Sequence, residues 1–168
     1  MKICIYYESL TGNTRQIAQA IQEACQTDAI YCGPYVPQKA DLYFIGSWTN
    51  KGDCADAIQT CLKELKDAKI AYFGTCGFGG SDAYYERLFQ RMHSHIDPSC
   101  QIIGHFYCPG KMPAAVKERY VSLLQAHPED KKLQVSLQNF EDVKDRPNAQ
   151  DLEEAKTWAL KMIQEASR

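Results

Sequence analysis

The chain has 168 residues, with 21 acidic and 19 basic side chains and a formal net charge of −2 at pH 7. This near-neutral balance gives no support for a nucleic acid or an anionic membrane surface as a partner. No apolar run approaches the roughly 20 residues of a membrane-spanning helix. Because Met1 and Lys2 lead directly into an apolar segment, we expect no secretory signal peptide, a cytoplasmic location and one domain over residues 1–168.

Apolar segments alternate with segments of helical periodicity over residues 1–107. The predicted strands span residues 2–7, 29–32, 41–46, 69–74 and 101–107. Periodic apolar positions predict helices over residues 13–26, after residue 55, and over residues 82–97. Strands that alternate with helices are typical of parallel sheets. The pattern therefore predicts an α/β fold, a doubly wound five-stranded parallel sheet with helices on both faces.

The final third of the chain is less regular. Residues 112–126 predict a helix with Pro113 in its first turn, and residues 128–146 are mostly polar and predict a loop. A last helix starts near Asn148, where Asp151 is placed to complete a capping pair. Residues 109–147 are therefore expected to form an added helix-plus-loop segment before the C-terminal helix.

The cysteines and histidines of the chain lack the spacing of a metal site. Eight cysteines lie at positions 4, 25, 32, 54, 61, 76, 100 and 108, and no two form a Cys-x-x-Cys pair. The four histidines are likewise scattered. We therefore predict no metal centre. We interpret the cysteines as small buried side chains in a reducing compartment rather than as a disulfide framework.

A polar loop follows the first predicted strand and leads directly into the first predicted helix. It reads Ser9-Leu10-Thr11-Gly12-Asn13-Thr14. Glycine permits a tight turn close to a ligand, and a helix N-terminus presents free N–H groups to an anion. The three hydroxyl groups and the amide can also donate to phosphate oxygens. Because the loop contains no Lys or Arg, it predicts a phosphate held by dipoles rather than by a cation. The alternative is an ordinary polar turn before an N-capped helix.

Two further loops follow the third and fourth predicted strands, over residues 46–55 and 74–82. Ligands of open α/β sheets bind beyond the carboxyl ends of the strands, where the strand order reverses. The first of these loops contains Trp48 and the second contains Phe78, and both are rich in glycine. Aromatic side chains in such loops suit a flat ring held between two walls. The alternative is that the two rings only cover the top of the sheet.

Taken together, the three loops resemble those of flavodoxins and related FMN-binding proteins. Thr11-Gly12-Asn13-Thr14 is similar to the phosphate loop of that family, and residues 46–53 are similar to the loop that supplies a ring-stacking aromatic side chain. Residues 74–85 are similar to the loop that covers the pyrimidine edge and the other face. The resemblance covers residues 1–107 and the last helix, and it implies FMN as the cofactor.

The resemblance also implies roles for individual residues. The hydroxyl groups of the first loop and the Asn13 amide would bind the FMN phosphate. Trp48 would stack on one face of the ring. Tyr84 would stack on the other, with Phe78 or Tyr85 as alternatives. No catalytic residue is expected. The complete expected cofactor site is Ser9, Leu10, Thr11, Gly12, Asn13, Thr14, Trp48, Thr49, Asn50, Lys51, Gly52, Thr75, Cys76, Gly77, Phe78, Gly79 and Tyr84.

The implied function is that of a low-potential electron carrier that uses FMN and donates electrons to a partner reductase. Its partners would be an electron-donating reductase and an acceptor reductase. Residues 109–147 do not match a short flavodoxin. They resemble a subgroup of flavodoxin-like proteins from anaerobes, some of which accompany bilin reduction, so the acceptor could be a bilin reductase. Two alternatives remain open, an FMN-dependent NAD(P)H:quinone-type oxidoreductase and a flavin-free protein-interaction module.

Overall fold

The computed structural model describes residues 1–168, which form six strands, six α-helices and one short 3-10 turn. The strands are β1 Ile3–Glu8, β2 Ala29–Gly33, β3 Leu42–Asn50, β4 Asp53–Cys54, β5 Lys69–Cys76 and β6 Gln101–Pro109. The helices are α1 Asn13–Cys25, α2 Asp56–Glu64, α3 Asp82–His93, α4 Ala114–Ala126, α5 Lys131–Val143 and α6 Ala149–Ala166. None of these helices is long and apolar enough to span a membrane.

Five of the strands form one parallel sheet in the order β2-β1-β3-β5-β6. This topology confirms the predicted doubly wound α/β fold. The strand order reverses between β1 and β3, so the connections that leave these two strands run to opposite faces of the sheet. The resulting crevice lies at their carboxyl ends, which is where ligands bind in folds of this kind.

The sheet has a hydrophobic core on each face because successive residues of a strand point to opposite sides. Ile3 and Ile5 of β1 contribute to the core beneath α1 and α6. Cys4 and Tyr6 contribute to the core that contains buried residues of α2 and α3. Each of these four side chains is fully buried. The two cores fix the positions of the strand ends, and therefore the positions of the loops that follow them.

The region after the third predicted strand differs from its prediction as a loop. Strand β3 continues to Asn50 and pairs with the antiparallel strand β4, so the segment is a β-hairpin. Its two turn residues, Lys51 and Gly52, have φ values of 50° and 81°. Two-residue hairpin turns of type I′ have positive φ at both central positions, a conformation that costs glycine little but is uncommon for lysine. The pattern of residues 41–46 predicted only the buried half of this strand.

The segment predicted as a loop over residues 128–146 contains helix α5. Asp130 caps this helix, because its carboxylate accepts hydrogen bonds from the backbone N–H groups of Lys132 and Leu133. Leu133, Leu137 and Phe140 of α5 lie at helical spacing and are half-buried, so the helix has an apolar face that the polar composition of the segment obscured. Helix α3 also ends at His93, earlier than the predicted residue 97. At the start of α6, Asn148 and Asp151 form the predicted capping box.

Candidate functional site

A cleft of about 480 Å³ opens at the carboxyl ends of β1, β3 and β5. Its volume lies within the range of about 300–1,000 Å³ that is typical of small-molecule sites. Most of the residues predicted to bind a cofactor line this cleft, and they are Leu10, Thr11, Asn13, Trp48, Thr49, Lys51, Gly52, Thr75, Cys76, Gly77, Phe78 and Tyr84. The remaining predicted residues lie nearby but do not line it, and they are Ser9, Gly12, Thr14, Asn50 and Gly79.

The first loop wraps around the N-terminus of α1 and is held by its own side chains. The Ser9 hydroxyl accepts hydrogen bonds from the backbone N–H groups of Gly12 and Arg15, each at 3.2 Å. Gly12 adopts a φ of 94°, which the absence of a Cβ allows. The backbone N–H groups of Leu10 and Thr11 donate to no acceptor in the protein. The loop therefore leaves donors free at the positive end of α1, where an anion is stabilised.

Two side chains that were predicted to face the ligand are instead bonded within the protein. The Thr14 hydroxyl is completely buried and shares a hydrogen bond of 2.8 Å with the hydroxyl of Thr75. Asn13 is 7% exposed, and its Nδ2 donates to the backbone oxygen of Lys111 at 2.8 Å. Asn13 Oδ1 is buried and has no hydrogen-bond partner. An unpaired buried acceptor is costly, so Asn13 brings an unsatisfied polar atom to the wall of the cleft that it lines.

Aromatic side chains stand on the walls of the cleft. Trp48 and Tyr84 are half-buried and line it, while Phe78 is 41% exposed at its rim. Tyr85 does not line the cleft, because its ring stacks on Tyr107 at 5.6 Å and its hydroxyl accepts from the Gly80 N–H. This placement favours Tyr84 over Tyr85 as the second stacking side chain.

The hairpin turn over Lys51 and Gly52 is anchored from below by an ion-pair cluster. The carboxylate of Asp53 contacts His95 Nε2 at 3.0 Å and Arg91 Nε at 3.3 Å. Burial acts to raise the pKa of Asp53. Hydrogen bonds from His95 and from the Cys54 N–H outweigh burial and leave this pKa below its ordinary value. The sequence analysis missed this contact, because Asp53 and His95 are 42 positions apart.

The Asp53 cluster also contains Cys54, and ligand atoms of Asp53, Cys54 and His95 all lie within 4.8 Å of one another. Burial raises the pKa of the Cys54 thiol to about 12. The carboxylate already contacts the Arg91 guanidinium and the His95 imidazole. We therefore interpret the cluster as a structural anchor for the hairpin rather than as a set of metal ligands.

Cys76 lies in the cleft but has the properties of a neutral thiol. Its side chain is 4% exposed, and its Sγ donates to the backbone oxygen of Phe78 at 2.8 Å. Burial raises the pKa of this thiol to about 12. Because the thiolate is the reactive form of cysteine, the geometry indicates a packing role rather than a nucleophilic one.

The loops after β1, β3 and β5 form three walls of the cleft, and residues 110–120, which follow β6, form a fourth wall. This fourth wall was not predicted from the sequence. Its lining residues are Gly110, Lys111, Met112, Pro113, Val116, Arg119 and Tyr120. The Gly110 N–H donates to the Cys76 oxygen at 2.9 Å, and Asn139 Nδ2 donates to the Gly77 oxygen at 2.7 Å. These bonds attach the segment and helix α5 to the loop that follows β5. Residues 110–120 of the added segment thus line the cleft, and α5 is bonded to the loop beside it.

Comparisons with known proteins agree with this geometry. The family model described as a flavodoxin domain matches residues 4–159. The chain belongs to the flavodoxin family. The chain is also similar to two curated proteins that carry the name "Flavodoxin-like domain-containing protein BilS". The relative from Clostridium symbiosum is 33% identical, with 90% of each chain covered. The relative from Clostridioides difficile is 31% identical, with 99% of each chain covered.

A solved flavodoxin has the same fold. Oxidised flavodoxin 2 from Bacillus cereus superposes with a TM-score of 0.55 at 16% identity, and 98% of this chain and 99% of that chain are covered. At this identity the likeness supports the fold alone. It therefore confirms the predicted flavodoxin-like architecture and leaves the roles of individual side chains to their own geometry.

The cleft has an excess of positive charge. Three cationic side chains, Lys51, Lys111 and Arg119, line the cleft, and no acidic side chain lines it. The cleft is therefore positive in a protein whose net charge is −2. The expectation that only dipoles would hold an anion came from the first loop, whereas two of these cations belong to the fourth wall.

Proposed function

We propose that this flavodoxin-family protein binds FMN in the cleft and transfers electrons between partner proteins. The observation that carries the proposal is that one cleft joins an anion-binding helix N-terminus to aromatic walls. The free N–H groups of Leu10 and Thr11 lie at one end, and Trp48 and Tyr84 stand on the walls. A ligand with a monoester phosphate at one end and a flat ring system at the other matches these two features of the cleft.

The residues present fit FMN. The backbone of the first loop and the Thr11 hydroxyl would bind the phosphate, and Asn13 Oδ1 would accept from a hydroxyl group of the ribityl chain. Trp48 and Tyr84 would hold the ring, and the backbone beside Gly77 would reach its polar edge. Bound FMN would supply the redox chemistry, while these side chains bind it, orient it and exclude water from it.

The hairpin turn would place a backbone hydrogen-bond acceptor beside the ring of bound FMN. Lys51 and Gly52 line the cleft, and the Asp53 cluster fixes the base of their turn. Gly52 can reorient its peptide group at little conformational cost, because glycine allows both positive and negative φ. A backbone carbonyl placed there would accept a hydrogen bond from a protonated ring nitrogen.

As partners we propose an electron-donating reductase and an acceptor reductase in the cytoplasm. Resemblance to the flavodoxin-like proteins of anaerobes, together with the BilS relatives, supports a bilin reductase as the acceptor. The exposed Leu10 and Phe78 at the rim of the cleft offer apolar contacts for such partners.

A turnover assay tests the carrier function. The FMN-loaded protein is mixed with NADH or NADPH and a quinone, with and without a flavodoxin reductase. We expect the protein alone to oxidise the nicotinamide at no more than the rate of free FMN, and to be reduced rapidly when the reductase is present. Fast turnover without the reductase would overturn the carrier function and establish the NAD(P)H:quinone-type oxidoreductase. A protein that takes up no FMN would overturn both and leave the flavin-free interaction module.

A further inference from the structure

The fourth wall brings the backbone of Lys111, a residue that lines the cleft, to the start of α1. Lys111 lies immediately after β6, and its backbone oxygen accepts the hydrogen bond from Asn13, the first residue of α1. The Lys111 N–H donates to the Arg146 oxygen at 2.7 Å. Two hydrogen bonds therefore hold the Lys111 backbone beside the helix N-terminus, although 98 positions separate it from Asn13.

The two cationic side chains of the fourth wall that line the cleft have no acidic partner. Neither Lys111 nor Arg119 forms an ion pair, whereas Lys117, on the same helix as Arg119, pairs with Glu141. Arg119 instead lies 5.7 Å from the centre of the Tyr120 ring. Exposed cations without carboxylate neighbours create a positive potential in the cleft that they line. A dianionic group would be the natural counter-charge.

We propose that Lys111 is a specificity-determining residue that supplies the positive charge for the phosphate of the ligand. The inference rests on the proposed FMN site and deepens it. In this protein a cation from outside the first loop reinforces the dipoles of that loop, with Arg119 adding to the positive field. The cleft therefore selects a phosphorylated flavin over the same flavin without its phosphate.

Two features of Asn13 mark the contact between the fourth wall and the start of α1. The first is the buried, unpartnered Asn13 Oδ1, which belongs to the same side chain that holds Lys111 in place. The second is the close packing of Gly110 on Asn13, because a Cβ at Gly110 would lie 2.4 Å from Asn13 Nδ2. The chain thus keeps the Lys111 backbone against the start of α1 at the cost of an unsatisfied polar atom.

Dissociation constants of FMN and riboflavin provide the test, measured by quenching of flavin fluorescence for the wild-type protein, Lys111→Gln and Lys111→Arg. The Lys111→Gln variant keeps both backbone hydrogen bonds, so it is expected to fold normally. We expect it to bind FMN about 10- to 150-fold more weakly, the range for loss of one charge-assisted hydrogen bond. Riboflavin binding should change by less than about twofold, and Lys111→Arg should restore most of the FMN affinity.

The matched control is Lys117→Gln, since Lys117 is a cation on the same wall segment that pairs with Glu141 and does not line the cleft. It should leave both dissociation constants unchanged. Raising the salt concentration should weaken FMN binding by the wild-type protein more than by Lys111→Gln. If FMN binds the wild-type protein and Lys111→Gln retains the same preference for FMN over riboflavin, the inference about Lys111 is wrong while the proposed function stands. If the wild-type protein binds no FMN, the proposed function itself fails.

Discussion

Replacing Gly110 with alanine tests whether the fourth wall holds the anion-binding end of the cleft together. A Cβ at position 110 would lie 2.4 Å from Nδ2 and 2.7 Å from Cγ of Asn13. Asn13 is buried and hydrogen-bonded to Lys111, so it has little freedom to move away. Overpacking of this kind costs about 1–3 kcal/mol, and loss of the hydrogen bond about 1 kcal/mol more.

We therefore expect Gly110→Ala to lower the free energy of unfolding by about 3 kcal/mol. For a protein of this size, that corresponds to a decrease in Tm of about 6–12 °C. The measurement is thermal unfolding followed by circular dichroism, with FMN affinity measured in parallel. FMN binding should weaken as well, because the displaced Asn13 begins helix α1.

Gly33→Ala is the matched control, since its Cβ would meet only the far end of the Tyr31 side chain, with the hydroxyl at 3.0 Å. This side chain can rotate away, so we expect a decrease in Tm of no more than about 4 °C. If Gly110→Ala unfolds at the wild-type temperature and binds FMN equally well, the close packing of Gly110 on Asn13 does not constrain the site, and the account of the fourth wall is refuted.

Three further predictions concern the cleft and its hairpin. Lys51→Glu should lower the potential for the second electron by tens of millivolts. A unit charge about 8 Å from the ring contributes about 2 kcal/mol at an effective dielectric of about 20, and screening by solvent reduces this value. Unchanged potentials in a redox titration would show that Lys51 does not influence the flavin. Cys76 should resist iodoacetamide at pH 8 in the folded protein, because its pKa is raised to about 12; rapid, FMN-protected labelling, mapped by mass spectrometry, would contradict this. His95→Gln should lower Tm at pH 7 by about 2–6 °C. The pKa of Asp53 in the folded protein lies below its ordinary value of 3.8, so the difference in Tm between the wild-type protein and the variant should persist above about pH 4. This difference should shrink as the pH falls and Asp53 becomes protonated. A difference in Tm that does not depend on pH would argue against the contact between Asp53 and His95.

The sheet and most of the cleft could be predicted because their signals are local in the sequence. The strands that form the core are continuous apolar runs, and β3 is buried on both faces along its first half. Parallel strands place the loops that follow β1, β3 and β5 at the same edge of the sheet, so three separate loop motifs predicted one site. Asn148 and Asp151 likewise form a cap within a single turn of helix.

The features that were missed depend on contacts between residues far apart in the sequence. Lys111 reaches the start of α1 only through the fold, so the loop motif alone could not show that this residue lines the same cleft. The pairing of Asp53 with His95 similarly requires α3 to end at His93 and the chain to turn back towards the hairpin. Helix α5 was missed because the prediction for residues 128–146 followed their polar composition, although Leu133, Leu137 and Phe140 have the spacing of one helix face.

The most direct test of the central claim is a fluorescence titration of the ligand-free protein with FMN, compared with Trp48→Ala and with Tyr85→Phe as a control outside the cleft. We expect saturable binding of one FMN per chain. The Trp48→Ala variant should bind FMN markedly more weakly, and Tyr85→Phe should bind it with wild-type affinity. A wild-type protein that binds no FMN, or FMN binding unaffected by Trp48→Ala, would contradict the assignment of this cleft as the cofactor site.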